Sequence, residues 1–419
     1  MQGGEVHEKK GPRIQDKRRR LGSDSKNPSG ETGLNSMLLW PNYGVFLVHL
    51  TYFMASFYLY YWFIRLLQPL PRLRNTFRLI FIMLIGSFFV GRILGRYEFN
   101  SFSYFLSYFS SIGMGFTFFF CLFTGGTDLL SYLLKKILFR GGISPLNSRG
   151  FCRTLVGVIS GLVLVMGGCA LREARNIVVT RLDIPLRGLP AEMEGLTLLQ
   201  VSDVHYGMLT ENGRLSKIVA RVNELNPDIV VITGDLVDES VSHMERMADP
   251  LSKLKSRLGV FAVTGNHDYY AGVDRVVAIM EEGGIRVLRN RVALLPGGLQ
   301  LLGIDDPTGA RRVGAPEPDF HGLVQSLDPQ KPSILLYHQP RNFEKAASAG
   351  VGLQLSGHTH GSQVLPLRPI SYVLFPHLRG LYSQGDRYMY VSRGVGTGGP
   401  PMRLGSPPEI VYIRFHSPS

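Results

Sequence analysis

The residues of this 419-residue chain best suited to chemistry are aspartates, histidines and one asparagine that recur just after short apolar runs. Asp203 and His205 follow Leu196–Ser202, and Asp235 follows Asp228–Thr233, with Asp238 three residues on. Gly265-Asn266-His267-Asp268 follows Val260–Thr264, His338 follows Ser333–Tyr337, and His358-Thr359-His360 comes after Gly352–Leu355. Carboxylate, imidazole and amide oxygen suit hard and borderline divalent cations, and the absence of cysteine from the set argues against a structural zinc site. Two cations about 3.5–4 Å apart need a bridging ligand, which one aspartate can supply. Such a pair neutralises the anionic oxygens of a phosphoester and provides hydroxide at neutral pH.

Taken singly, each histidine is more often a surface or satisfied core residue than a ligand, and Asp238 alone reads equally as a helix N-cap. Five such loops in order reverse that balance. His243, His321 and His377 match no element of the pattern and read as surface or loop residues. Gly394–Pro401 reads as a sharp turn, because neither a helix nor a lysine follows it as a phosphate loop requires.

The apolar runs must be the strands that carry these loops. Leu196–Ser202, Asp228–Thr233, Val260–Thr264, Leu299–Ile304, Ser333–Tyr337, Gly352–Leu355, Tyr388–Ser392 and Ile410–Phe415 are short, several are rich in Val, Ile and Leu, and Gly, Pro or Asp bounds many of them, as for buried strands. Between the first two, Glu211–Leu225 has Leu215, Ile218, Val219, Val222 and Leu225 at helical spacing, and Pro227 ends it. Strand and helix alternate, which predicts an α/β sheet with its ligands at the C-terminal strand ends.

In order, these residues spell Asp-x-His, Gly-Asp-x-x-Asp, Gly-Asn-His-Asp, His and Gly-His-x-His. That pattern resembles the calcineurin-like metallophosphoesterase superfamily, over about Leu196 to the C-terminus. The resemblance implies a sandwich of two mixed sheets flanked by helices and a dinuclear centre of Mn, Fe or Zn. It implies that Asp203, His205 and His360 hold one cation, Asn266, His338 and His358 the other, and Asp235 bridges them. It further implies that His267 protonates the leaving oxygen or stabilises the transition state, with Asp238 orienting it. The expected reaction is hydrolysis of a phosphomonoester or phosphodiester.

Charge divides the chain. From Thr180 onward 24 basic residues match 24 acidic ones, leaving 21 basic and 8 acidic residues in the first 179, which carry the whole net charge of +13. The basic residues flank long apolar runs instead of forming a patch on the globular half, which points to a membrane and away from nucleic acid. Residues 1–36, including Lys17-Arg18-Arg19-Arg20, read as a disordered polar tail. Residues 37–175 read as an all-α membrane region with about four spanning helices at 37–64, 76–95, 103–125 and 154–171, and residues 180–419 as the catalytic domain. The leucines from Leu129 to Leu138, with Lys135, Lys136 and Arg140 nearby, suggest a separate helix lying in the interface. The three cysteines, Cys121, Cys152 and Cys169, lie in or beside apolar runs and imply no disulfide framework.

A multi-pass anchor suggests a substrate that is itself membrane-bound, a phospholipid or lipid-linked phosphoester. The rival reading makes the spans a transporter or channel and the C-terminal half a sensor. Against it, the spans hold few ionisable groups beyond His49 and their edge arginines with which to line a path.

Overall fold

The computed structural model describes residues 43–97, 100–137, 148–207, 213–238 and 244–418. The 1–36 tail and His243 lie outside the described residues. By its contacts the chain divides into two compact units, Met1–Thr51 and Tyr52–Ser419.

Four long helices come first: α1 (Tyr43–Leu67), α2 (Pro71–Tyr97), α3 (Ser101–Ile137) and α4 (Arg149–Glu173). Among the described residues three helical segments are long and apolar enough to cross a membrane, Pro71–Gly91, Ser101–Ile137 and Arg149–Glu173. The first expected span, 37–64, is described only from Tyr43 on, as the helix α1, and that described part falls outside the set. The separate interfacial helix expected at Leu129–Leu138 does not exist as such. Its described part is the last stretch of α3, which at 37 residues runs roughly 55 Å, longer than the hydrocarbon core is thick.

Twelve strands follow in two six-stranded sheets. The first has the order β1 (Val178–Pro185), β12 (Glu409–His416), β2 (Thr197–Val201), β3 (Ile229–Thr233), β4 (Val260–Val263) and β5 (Arg286–Val287). The second has the order β10 (Gly380–Gln384), β11 (Arg387–Val391), β9 (Leu353–Ser356), β8 (Ser333–Tyr337), β7 (Gln300–Ile304) and β6 (Arg291–Leu294). Both are mixed: β2 to β5 run parallel while β12 pairs antiparallel to β2, and β7, β8, β9 and β11 run parallel between antiparallel β6 and β10.

Side-chain alternation explains the layers. In β3, Val230 and Ile232 join a core with the helices α5 (Arg214–Glu224) and α6 (Asn266–Glu282), while Ile229 and Val231 point into a second core shared with Ile334, Leu336, Leu353 and Leu355 of the other sheet. A strand buried on both faces must be apolar throughout, which is why β3 reads Ile-Val-Val-Ile-Thr. Each such side chain contributes about 1.5–3 kcal/mol on burial. A further cluster joins Trp62, Phe119, Val163 and Ala170 of the long helices to Met402, so the helical region and the sandwich share packing within the second unit.

Candidate metal centre

The strand ends place the candidate residues. Asp203 and His205 follow β2, Asp235 and Asp238 follow β3, and Asn266 and His267 open α6 after β4, all from the first sheet. His338 follows β8, and His358 and His360 follow β9, from the second. The cluster therefore closes across the end of the sandwich, with each sheet supplying part of it.

The backbone is bent hard to achieve this. Asp203, His205, Asp235, His358 and His360 all have φ between 48° and 73°, a region that costs a non-glycine residue on the order of 1–3 kcal/mol. Neighbouring glycines make room. A Cβ on Gly357 would lie 2.0 Å from Ser202 Oγ and 2.3 Å from Asp203 Oδ2, so only glycine lets the β9 loop pass the β2 loop.

Among the described residues three groups of donor atoms result, of which one, His205, Asp238 and His267, shares His205 with the first of the two candidate cation sites. Asp203, His205 and His360 form that first site, with His205 Nε2 3.0 Å from His360 Nε2 and His360 Nε2 3.8 Å from Asp203 Oδ1. Asp235, His338 and His358 form the other, with His338 Nε2 3.1 Å from Asp235 Oδ2 and 3.3 Å from His358 Nδ1. The same Asp235 oxygen lies 3.8 Å from His205 Nε2, so it faces both groups. Asp235 Oδ1 accepts instead from the His267 backbone N–H at 2.8 Å.

Tautomers follow from the outer partners. His338 Nδ1 lies 2.8 Å from the Thr233 carbonyl, which can only accept, so Nδ1 donates and Nε2 faces Asp235. Burial lowers the pKa of this imidazole, but the charge of Asp235 outweighs it and raises His338 well above its ordinary value. His205 Nδ1 likewise faces the Asp238 carboxylate at 3.2 Å, leaving Nε2 for the cluster. Nitrogens and carboxylate oxygens of both groups thus converge on one small volume, the arrangement that a divalent cation takes up once the histidines are neutral. Asn266 Oδ1 adds to this: it is buried without a hydrogen-bond partner, an orphan acceptor of the kind a cation satisfies. The donor set thus fits two divalent cations.

His267 stands apart. Its Nδ1 donates to the Asp238 carbonyl at 2.7 Å and its ring is half-buried, with Tyr270 5.4 Å away between ring centroids. Burial lowers its pKa, but the Asp238 hydrogen bond and the charges of Asp235 and Asp238 outweigh it and push His267 up to about 9. For Asp238, burial raises the carboxyl, and the hydrogen bonds from His205 and His267 hold it well below the carboxylate range. Burial and the neighbouring His338 push His358 down to about 3, which keeps it in the neutral form that ligates.

Residues 196–362 match the family described as calcineurin-like phosphoesterase. A Danio rerio protein described as "Transmembrane protein with metallophosphoesterase domain" is 36% identical over 73% of this chain and 72% of its own length. The chain belongs to the calcineurin-like phosphoesterase family. The Bos taurus protein of the same description is 34% identical over 62% of each chain, and an "Uncharacterized metallophosphoesterase" of Aquifex aeolicus (strain VF5) is 34% identical over 60% of this chain and 97% of its own.

Around this cluster stand residues whose contacts the motif spacing does not reveal. Asp268, fully buried, accepts from the backbone N–H groups of Gly265 and Val237 at 2.8 and 3.1 Å and so ties two ligand loops together. Burial and the charge of Asp235 push its carboxyl up to about 7. Arg403, also fully buried, donates to the carbonyls of Gly396 and Ser406 and places Nη2 3.0 Å from His360 Nδ1. Phe375 meets the His358 ring edge-on at 5.7 Å. Gly394–Pro401 buttresses the β2 loop, with Val395 N and Gly396 N donating to the carbonyls of Ser202 and Asp203. His321 bonds Gln325 on the surface, and His377 packs against Tyr382 with Nε2 3.7 Å from Glu344, so neither joins the cluster.

Proposed function

We propose that the chain is a membrane-anchored, multi-pass phosphoesterase that hydrolyses a phosphomonoester or phosphodiester, with a membrane lipid or lipid-linked phosphoester as substrate. Asp203, His205 and His360 hold one divalent cation, Asn266, His338 and His358 the other, and Asp235 bridges them; Mn, Fe and Zn all suit these donors. The observation that carries this reading is the single Asp235 oxygen facing both donor groups, 3.1 Å from His338 and 3.8 Å from His205. Family membership and the three apolar helices support it.

When bound, the two cations supply Lewis-acid polarisation of the phosphoryl oxygens and acidify water for in-line attack. His267 supplies the proton for the leaving oxygen. Its Nδ1–H is committed to the Asp238 carbonyl, so the transferable proton sits on Nε2, the half-buried side of the ring. Asp238 orients His205 with its carboxylate and His267 with its backbone. Ser202, donating to Asp203 Oδ2 at 2.6 Å, and Thr233, accepting from His338, hold two proposed ligands in their ligating orientation.

Turnover of bis(p-nitrophenyl) phosphate and p-nitrophenyl phosphate by the purified full chain, with Mn²⁺ and then with chelator, tests the reading. Hydrolysis that chelator abolishes and Mn²⁺ restores supports it. Hydrolysis indifferent to chelator contradicts it.

A further inference from the structure

Between the last ligand loop and β10 the chain presents an apolar stretch that the fold leaves uncovered. Leu365, Leu367, Ile370, Tyr372, Val373 and Leu374, on and beside the short helix Arg368–Leu374, are exposed, Val373 by 83% and Leu374 by 67%. From Gln363 to Gly380 there is no acidic residue. The two arginines within it, Arg368 and Arg379, both donate to the Gly405 carbonyl, so each guanidinium is fixed beside the apolar surface. Apolar patches of this kind mark contact with a partner or a membrane.

The root of this stretch lies on the long helices. Leu365 N donates to the Leu404 carbonyl at 2.7 Å, and Val364 and Leu404 pack into the cluster that contains Trp62, Phe119 and Ala170. Gly405 and Ser406 donate their backbone N–H groups to the Glu173 carboxylate at the end of α4. Three residues before Gly405, Met402 presses against α3 so closely that a Cβ on Gly115 would lie 2.4 Å from its Sδ. The apolar surface of α3 does not stop at that level: Phe109, Phe105 and Phe102 remain exposed roughly 9 to 20 Å further along the helix. Lipid covering those phenylalanines would extend past the loop from which the 365–375 stretch hangs. At its other end the stretch delivers Phe375 onto the ring of His358.

We propose that Leu365–Phe375 inserts into the lipid interface beside the metal centre, so that a lipid phosphoester passes to the cluster along this stretch without entering bulk water. The occupant is the bilayer surface itself. Acyl chains cover Ile370, Val373 and Leu374, Arg368 and Arg379 lie at headgroup depth, and Phe375 borders the entrance at His358. This inference rests on the reading of the chain as a membrane-held phosphoesterase.

The test uses the full chain in vesicles of phosphatidylcholine and phosphatidylserine, with brominated acyl chains as one quencher and aqueous iodide as the other. The chain has two tryptophans, Trp40 and Trp62, and Val373→Trp adds a third at an exposed position. Leu294→Trp, on the exposed end of edge strand β6, is the water-facing control. Above the wild-type background, the emission added by Val373→Trp is expected to be lost to brominated lipid and spared by iodide, and that added by Leu294→Trp to do the reverse. If Val373→Trp behaves like Leu294→Trp, insertion is overturned. If neither quencher reaches it, a protein surface covers the stretch and the lipid assignment is wrong. Mn²⁺-dependent hydrolysis of bis(p-nitrophenyl) phosphate by the wild type in the same vesicles separates the two claims. Its absence sinks the enzymatic reading, whereas its presence beside a water-exposed residue 373 sinks insertion alone.

Discussion

The backbone carbonyl of Asp238 accepts from His267 Nδ1 at 2.7 Å, while the carboxylate of the same residue stands 3.4 Å from that nitrogen and 3.2 Å from His205 Nδ1. The side chain therefore faces both a proposed ligand and the proposed acid, while the backbone carbonyl fixes the acid alone.

Asp238→Asn keeps the carbonyl, so His267 stays in place, but it removes the carboxylate partner of His205 and the charge that raises His267. Activity should drop about 10–100-fold, the usual cost of an outer partner of a ligand, with weaker metal affinity. His267→Ala should leave metal content unchanged and cost about 10²–10⁴-fold, more for an alkyl leaving group than for p-nitrophenol, which needs less protonation. Kinetics on both leaving groups, beside metal analysis, checks this. Equal losses on the two leaving groups in His267→Ala would remove it from the proton-transfer step.

Arg403 ties the β9 loop to the helical region, since its own N–H donates to the Ala170 carbonyl while its guanidinium holds Gly396 and Ser406 and reaches His360 Nδ1 after β9. Arg403→Met leaves those carbonyls unpaired at about 1–3 kcal/mol each. Arg403→Lys should recover little, because an ammonium cannot reproduce the planar fork. The check is thermal unfolding of the full chain: a lysine variant as stable as wild type would contradict the fork geometry.

Far from the cluster, Asp228 accepts from Arg257 Nε at 2.6 Å and from the backbone and hydroxyl of Thr197. Burial raises its pKa, but these bonds, Arg257 first, hold it below the ordinary value. A depressed folded pKa stabilises the fold fully above the unfolded value of about 3.9 and loses that stability as pH falls through the folded value. Asp228→Asn should thus destabilise the fold at neutral pH by about 1 kcal/mol or less for this half-exposed ion pair, seen as a lower Tm, and the gap should close below about pH 4. A gap that persists unchanged in acid would show that the loss is not electrostatic.

How legible the fold was depended on where each strand sits. The eight strands read from the sequence are all interior to the sheets, paired on both sides, and those packed between layers, such as β3, are apolar at nearly every position. The four that escaped, β1, β5, β6 and β10, are the four sheet edges. An edge strand has one unpaired side and exposed positions, as in Gly380–Gln384, so it carries no apolar run to read. In the site, the candidate donors could be picked out because several of them, at fixed spacing, fall after successive strands. Arg403 did not, since a lone arginine in Pro-Pro-Met-Arg-Leu gives no hint that it will be buried 43 residues from the histidine it meets. The extra length of α3 was masked by Thr127 and Asp128, which break the apolar run without ending the helix; Asp128 meets Arg65 at 2.6 Å and Tyr58 at 3.0 Å.

The central claim is that Asp235 joins two cations, and electron paramagnetic resonance of the Mn²⁺-loaded full chain tests it most directly. The account predicts a spin-coupled manganese pair in the wild type and, in Asp235→Asn, loss of that coupling together with a fall in turnover of more than about 100-fold, beyond the cost of losing an outer partner. A single uncoupled manganese per chain at full turnover, or a coupled pair that survives Asp235→Asn, would contradict it.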